Sequence, residues 1–151
     1  RIGVAAGERD NFHTIMRMNG YQKALFEAGI LYDPGIVEYV RWEREAGYKV
    51  APTMISNHVS AVFCMSDTIA GGIYDYMREK GMTMSVAGYD NRAMADYMAP
   101  GLTTMALPLN EIGRQSAEKL IGILQGNAIE EHFEQRIPCT LIERESVTAI
   151  E

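Results

Sequence analysis

A chain of 151 residues, 47% hydrophobic and 23% charged, is long enough to enclose one domain-sized core. Its formal net charge of -6 argues against this stretch itself gripping a nucleic-acid backbone, which needs a basic face. No apolar run approaches the roughly 20 residues of a membrane-spanning helix, and the two cysteines, Cys64 and Cys139, imply no disulfide framework.

The chain starts at Arg1 with neither a Met nor a signal peptide, and Ile2-Gly-Val-Ala-Ala-Gly7 already reads as a strand. A fragment or trimmed piece of something longer is therefore expected. After the polar stretch Glu8 to Asn11, apolar residues at helical spacing (Ile15, Met18, Tyr21, Leu25, Ala28) predict a helix over 12–28, with Gly29 as its C-cap. Arg17 falls early in that helix, close to the end of the strand. A solvated arginine is the first reading; a bidentate donor to ligand hydroxyl or carboxylate oxygens is the second.

Asp33-Pro34-Gly35 is a turn, and Ile36-Val-Glu-Tyr-Val40 the next strand. Trp42 follows at the same rim. An indole there is ordinarily packing, but it also suits stacking on a sugar ring or a base. A helix over 43–56 is expected, with Ala46, Val50 and Ile55 inward and Pro52 tolerable only near an end or a kink.

The stretch Val59-Ser-Ala-Val-Phe-Cys-Met-Ser-Asp67 organises the rest. Val59 to Met65 reads as a strand covered on both faces, with Cys64 a free core thiol. Asp67 reads as the N-cap of a helix over 68–80, which Gly81 stops. Met84-Ser-Val-Ala-Gly-Tyr89 is a second strand, ending on Asp90-Asn91. A βαβ unit of this kind gathers its strand ends at one rim, which makes Ser66, Asp67, Asp90 and Asn91 candidates for ligand contact.

Residues 92–101 look irregular, with a turn at Pro100-Gly101. Leu102-Thr-Thr-Met-Ala-Leu107 is a strand ended by Pro108. Asn110 is the expected cap of a last helix, 111–125, whose apolar face is Ile112, Ala117, Leu120, Ile121 and Leu124. Gly126-Asn127 stops it, and 135–142 reads as a strand broken at Pro138. Helices alternating with short apolar strands predict an α/β fold with a doubly wound, mostly parallel sheet.

Motifs for nucleotide binding and hydrolysis are missing: there is no G-x-G-x-x-G, Walker A loop, G-x-S-x-G or C-x-x-C. His13, His58 and His132 show no zinc spacing, so no metal and no cofactor are expected. Ser66 and Asp67 have no obvious histidine partner, which disfavours a hydrolase.

Five runs carry a resemblance: Arg17-Met-Asn-Gly-Tyr-Gln-Lys-Ala-Leu25, Ala61-Val-Phe-Cys-Met-Ser-Asp67, Val86-Ala-Gly-Tyr-Asp-Asn91, Pro100-Gly-Leu-Thr-Thr104 and Leu141-Ile-Glu-Arg-Glu-Ser146. In order and spacing they resemble the LacI/GalR family of bacterial transcription regulators. The resemblance covers nearly the whole chain, but only the second half of such a regulator. It implies the C-terminal part of a periplasmic-binding-protein-like (type I) effector core. Residues 1–101 would be the C-terminal effector-binding subdomain. Residues 102–126 would be a crossover strand and helix belonging with an N-terminal subdomain, and 127–151 return strands and a tail. Two connections, between Gly81 and Ser85 and between Tyr48 and Ala61, are shorter than the family's usual ones.

Position by position, the resemblance makes Arg17 the effector-bonding arginine and Asp90 the acceptor for sugar hydroxyls or a base N–H. Ser66 stands where many members have Asn, Trp42 at an aromatic or variable rim position, and Leu107 on the crossover segment, where a polar residue is frequent. The function implied is the effector-binding and dimerisation portion of a cytoplasmic repressor. It would sense a small molecule (most often a sugar, or a nucleobase) and reach DNA only through an absent helix-turn-helix head, with no membrane partner. The homodimer surface would fall on 45–56, 70–79 and 93–98, where Tyr74 and Met77 are expected at the surface. A solute-binding protein of a transporter shares the fold and is the alternative; an α/β enzyme is the third reading. Without the other subdomain, the helix over 111–125 should lack its usual partner.

Overall fold

The computed structural model describes residues 1–127 and 134–149. Its described elements run β1 (Ile2–Ala6), α1 (Phe12–Glu27), a 3-10 turn (Pro34–Ile36), β2 (Val37–Tyr39), α2 (Arg44–Ser56), β3 (Ala61–Cys64), α3 (Asp67–Lys80), β4 (Ser85–Asp90), α4 (Met94–Tyr97), β5 (Thr103–Ala106), α5 (Leu109–Leu124) and β6 (Thr140–Ile142). They build one six-stranded sheet in the order β2-β1-β3-β4-β5-β6. All pairings are parallel except β5 with β6. This is the expected doubly wound, mostly parallel sheet.

Alternation along the central strands divides the core between two faces. Val4 and Ala6 of β1 meet Met18, Tyr21 and Leu25 of α1 on one side. Ala5, Val62, Cys64 and Val86 meet Val50, Met54, Ile69 and Ile73 of α2 and α3 on the other. Cys64 is a fully buried free thiol, and burial pushes its pKa up.

α2 and α3 lie almost backbone to backbone. A Cβ on Gly47 would fall 2.0 Å from the Ile69 carbonyl oxygen, and one on Gly72 would fall 1.8 Å from that of Arg44. Arg44 braces the pair, its Nε and Nη2 donating to Asp75 at 2.6 and 2.9 Å. This close approach corrects the placing of Tyr74 and Met77 at the surface: they are 9% and 7% exposed and belong to the core. The Tyr74 hydroxyl is spent on the Pro100 carbonyl, 3.0 Å away.

Several local expectations change. Ser66, not Asp67, caps α3, its Oγ accepting from the Ile69 N–H. Asn110 lies inside α5, whose N-cap is Pro108. The stretch 92–101 contains the one-turn helix α4, and the strand foreseen over 135–142 is confined to Thr140–Ile142. Pro52 sits inside α2. The strand that was to leave with the crossover segment is held in this sheet as β5, between β4 and β6. α5 behaves differently: none of its residues is buried, and Leu120, Ile121 and Leu124 are 58%, 52% and 77% exposed.

Candidate functional site

In an open α/β sheet the crevice lies beyond the carboxyl ends of the strands, where the chain winds off in opposite directions. Here that switch point is between β1 and β3, since α1 covers one face and α2 and α3 the other. A cavity of about 270 Å³ opens there, lined by Asn11, His13, Arg17, Trp42, Ser66, Thr68, Asp90 and Arg92. Four residues singled out from the sequence, Arg17, Trp42, Ser66 and Asp90, thus share one concavity. Leu107, just past the end of β5, does not line it.

Each wall residue is set by its neighbours. Arg17 donates from Nη1 to the Met65 carbonyl at the end of β3, and its guanidinium lies 3.8 Å above the Tyr89 ring and 5.6 Å from that of Trp42. Stacking and a backbone acceptor together hold it over the rim. Trp42 lies across Gly7: a Cβ at that position would be 1.9 Å from the indole. Only glycine at the end of β1 lets the ring reach this rim. Asn11 caps α1, its Oδ1 accepting from the His13 N–H at 2.9 Å.

Asp90 is presented by a turn with left-handed backbone, φ 107° at Asp90 and 49° at Asn91. Such conformations persist only where the surroundings impose them. Asp67 imposes this one. It is fully buried and accepts from the Thr104 hydroxyl at 2.6 Å and from the Arg92 N–H at 2.7 Å. Thr104 Oγ1 also receives the Asn91 N–H at 3.4 Å, and Arg144 Nη2 donates to Asn91 Oδ1 at 3.0 Å. Gly88 leaves room for the carboxylate, since a Cβ there would lie 2.3 Å from Asp67 Oδ1.

The motifs of the resemblance therefore meet in a frame behind the site. Arg144 also donates to the Leu102 carbonyl at 2.7 Å. Ser146 Oγ donates to the Val86 carbonyl at 2.6 Å and receives the Thr103 N–H at 2.8 Å. Asp67, a candidate for ligand contact, serves this frame instead.

Burial raises the pKa of Asp90; Arg17 nearby opposes the shift and Asp67 adds to it. Arg17 Nη2 and Arg92 Nε stand 3.9 and 3.7 Å from its two oxygens. Both exceed an ordinary hydrogen bond of about 2.7–3.2 Å. Donors and acceptors on this wall are thus close without being consumed by one another.

Asn11, His13, Thr68 and Arg92 were not singled out from the sequence as site residues. His13 was legible in principle, since it lies four residues before Arg17 on one helix face. Arg92 was not, because its position depends on the turn that Asp67 holds. A larger cavity, about 610 Å³, runs under α5 beside Gln135 and Ile137, away from the strand ends. It reflects the standoff of that helix. His132 lies outside the described residues. Among the described residues no group of three or more His, Cys, Asp or Glu side chains could hold a metal, and no helix is long and apolar enough to cross a membrane.

A family model described as a periplasmic binding protein-like domain matches residues 1–147. The chain belongs to that family. The periplasmic binding protein-like fold agrees with the sheet described above, and known relatives carry the LacI/GalR resemblance further. The HTH-type transcriptional repressor PurR of Vibrio atlanticus (strain LGP32) is 30% identical over 99% of this chain and 46% of its own length. The crystal structure of the Escherichia coli transcriptional repressor ascG superposes with a TM-score of 0.89 at 26% identity, over 98% of this chain and 55% of that one. A LacI family transcriptional regulator from Enterococcus faecium, solved with bound ribose, superposes with a TM-score of 0.84 at 28% identity, over 96% of this chain and 55% of that one. The chain spans about half the length of the curated relatives it matches. These relatives are transcription regulators.

Proposed function

We propose that this chain is one lobe of the effector-sensing core of a LacI-type repressor. Its rim cavity is one wall of a cleft for a small hydroxylated molecule, a sugar first and a nucleobase-like compound second. The observation that carries this reading is the convergence of Arg17, Trp42, Ser66 and Asp90 on one concavity at the switch point of the sheet. Vicinal hydroxyls suit an unconsumed guanidinium beside a carboxylate acceptor, and a sugar ring suits the indole face. Leu107, where the chain leaves β5, marks the passage toward a second lobe rather than this wall.

A ligand of such a cleft changes DNA affinity only by binding one arrangement of two lobes better than another. The lobe therefore acts on DNA through a helix-turn-helix head elsewhere in a cytoplasmic homodimer, without chemical turnover. Repressor relatives and the ribose-bound regulator favour this over a transporter's solute-binding protein.

Calorimetry on the full-length gene product with a panel of sugars and nucleosides tests the reading. One panel member should bind, and Asp90→Ala should weaken it at least about tenfold, the loss expected for a half-buried charged acceptor. Micromolar sugar binding by residues 1–151 alone would overturn the two-lobe cleft.

A further inference from the structure

The overall charge of the chain is -6, yet the wall of the cleft has the opposite sign. Arg17 and Arg92 flank a single carboxylate, Asp90, with His13 beside them. Behind this wall Asp67 turns its oxygens to Thr104 and the Arg92 N–H, and Tyr89 lies beneath the Arg17 guanidinium.

Neither guanidinium is used up by Asp90, from which they stand 3.9 and 3.7 Å. An arginine carries five N–H donors. One of those of Arg17 goes to the Met65 carbonyl, while Arg92 extends into solvent with its side chain 63% exposed. The first turns of two long helices, α1 and α3, also border the cavity through His13 and Thr68. Their positive ends add to the same potential. Ser66, 4% exposed and lining the cavity, accepts from the Ile69 N–H and keeps its own hydroxyl proton to donate.

From this arrangement we infer that the effector is an anionic sugar, a sugar phosphate or a sugar acid, whose hydroxyls meet Asp90 and Arg17 and whose anionic group meets Arg92 and His13. The inference rests on the reading of the cavity as an effector site and names the class of molecule that site takes. A neutral sugar would satisfy Asp90 but leave the solvent-facing donors of Arg92, beyond their loose pairing with that carboxylate, without an anionic partner. Placing the anion toward Arg92 and the α1 end also keeps it clear of the Asp90 carboxylate. Charge-assisted hydrogen bonds to a guanidinium are roughly twice as strong as neutral ones, so this contact should dominate selection.

The test uses full-length protein and matched pairs: ribose against ribose 5-phosphate, glucose against glucose 6-phosphate and gluconate, with inorganic phosphate alone as a further titrant. Affinities come from calorimetry at low and high salt. An anionic member of one pair should bind at least tenfold more tightly than its neutral partner, and the margin should shrink as salt rises. Arg92→Ala should narrow that ratio toward one, and Arg92→Lys should restore part of it. Phosphate and gluconate arms separate the two anion types, and phosphate binding as tightly as any sugar would overturn the sugar half of the inference. A neutral sugar binding as well as its anionic partner, with Arg92→Ala leaving the ratio unchanged, would overturn the anionic class and leave the lobe reading standing. If no sugar binds, or Asp90→Ala has no effect on the one that does, both fall together.

Discussion

Asp67 shows how one side chain can be chemically prominent and still not be a ligand contact. Two adjacent residues, Ser66 and Asp67, are each able to cap a helix. What decides between them lies 25 and 37 positions away, at the Arg92 N–H and the Thr104 hydroxyl. A linear reading weighs each residue against its neighbours and cannot see those partners. Burial raises the Asp67 pKa against the pull of its hydrogen bonds. A raised native value means that the cost of ionising it is felt above that value and relieved as pH falls through it. The room it occupies depends on Gly88. Gly88→Ala should destabilise the fold by about 1–3 kcal/mol in urea melts, the usual cost of overpacking. The reason is that the new methyl would meet Asp67 Oδ1 and, at 2.8 Å, Leu102 Cδ2. Effector affinity should fall with it, since the turn bearing Asp90 hangs on the displaced carboxylate.

Among the elements, strands were the easiest to read, because unbroken apolar runs such as Ala61–Cys64 leave no other place than a doubly covered sheet. The helix pair was harder. Apolar periodicity in α3 marks a face but not how near a partner comes, and Gly47 and Gly72 bring α2 close enough to enclose Tyr74 and Met77. Glycines in two helices were the available signal. The pair also has an electrostatic brace. The Asp75 carboxyl is held below the usual carboxylate range, first by the hydrogen bond from Arg44. A lowered native value makes the contribution complete above the unfolded value of about 3.9 and lost as pH falls through the native one. Asp75→Asn should therefore cost on the order of 1 kcal/mol at neutral pH, after allowance for solvent screening of the half-exposed arginine. Denaturant melts repeated in acid should show that difference shrinking.

For the molecule as a whole, the alternation of helices and strands predicted the architecture, and five short runs predicted the family. What was not legible is where β5 goes. Its threonines and the antiparallel return of β6 keep it in this sheet, through pairings such as Thr104 with Ile142. α5, directly after it, stands away with its apolar residues in solvent. Because that face is already wet here, Leu120→Glu with Leu124→Glu should change the stability of this chain by no more than about 0.5 kcal/mol. A loss of several kcal/mol in urea melts would mean that α5 packs where the structure leaves it open.

Arg144 and Ser146, which frame the cleft from behind, lie 53 and 60 positions along the chain from the Asn91 and Val86 that they hold. The turn bearing Asp90 is thus steadied by residues that the chain reaches only after β5, α5 and β6. Without Arg144, Asn91 keeps, among the described residues, only the long bond from its N–H to Thr104, so the turn is held by fewer contacts. Removing the chain from Arg144 onward should therefore loosen that turn while leaving every wall residue in the polypeptide.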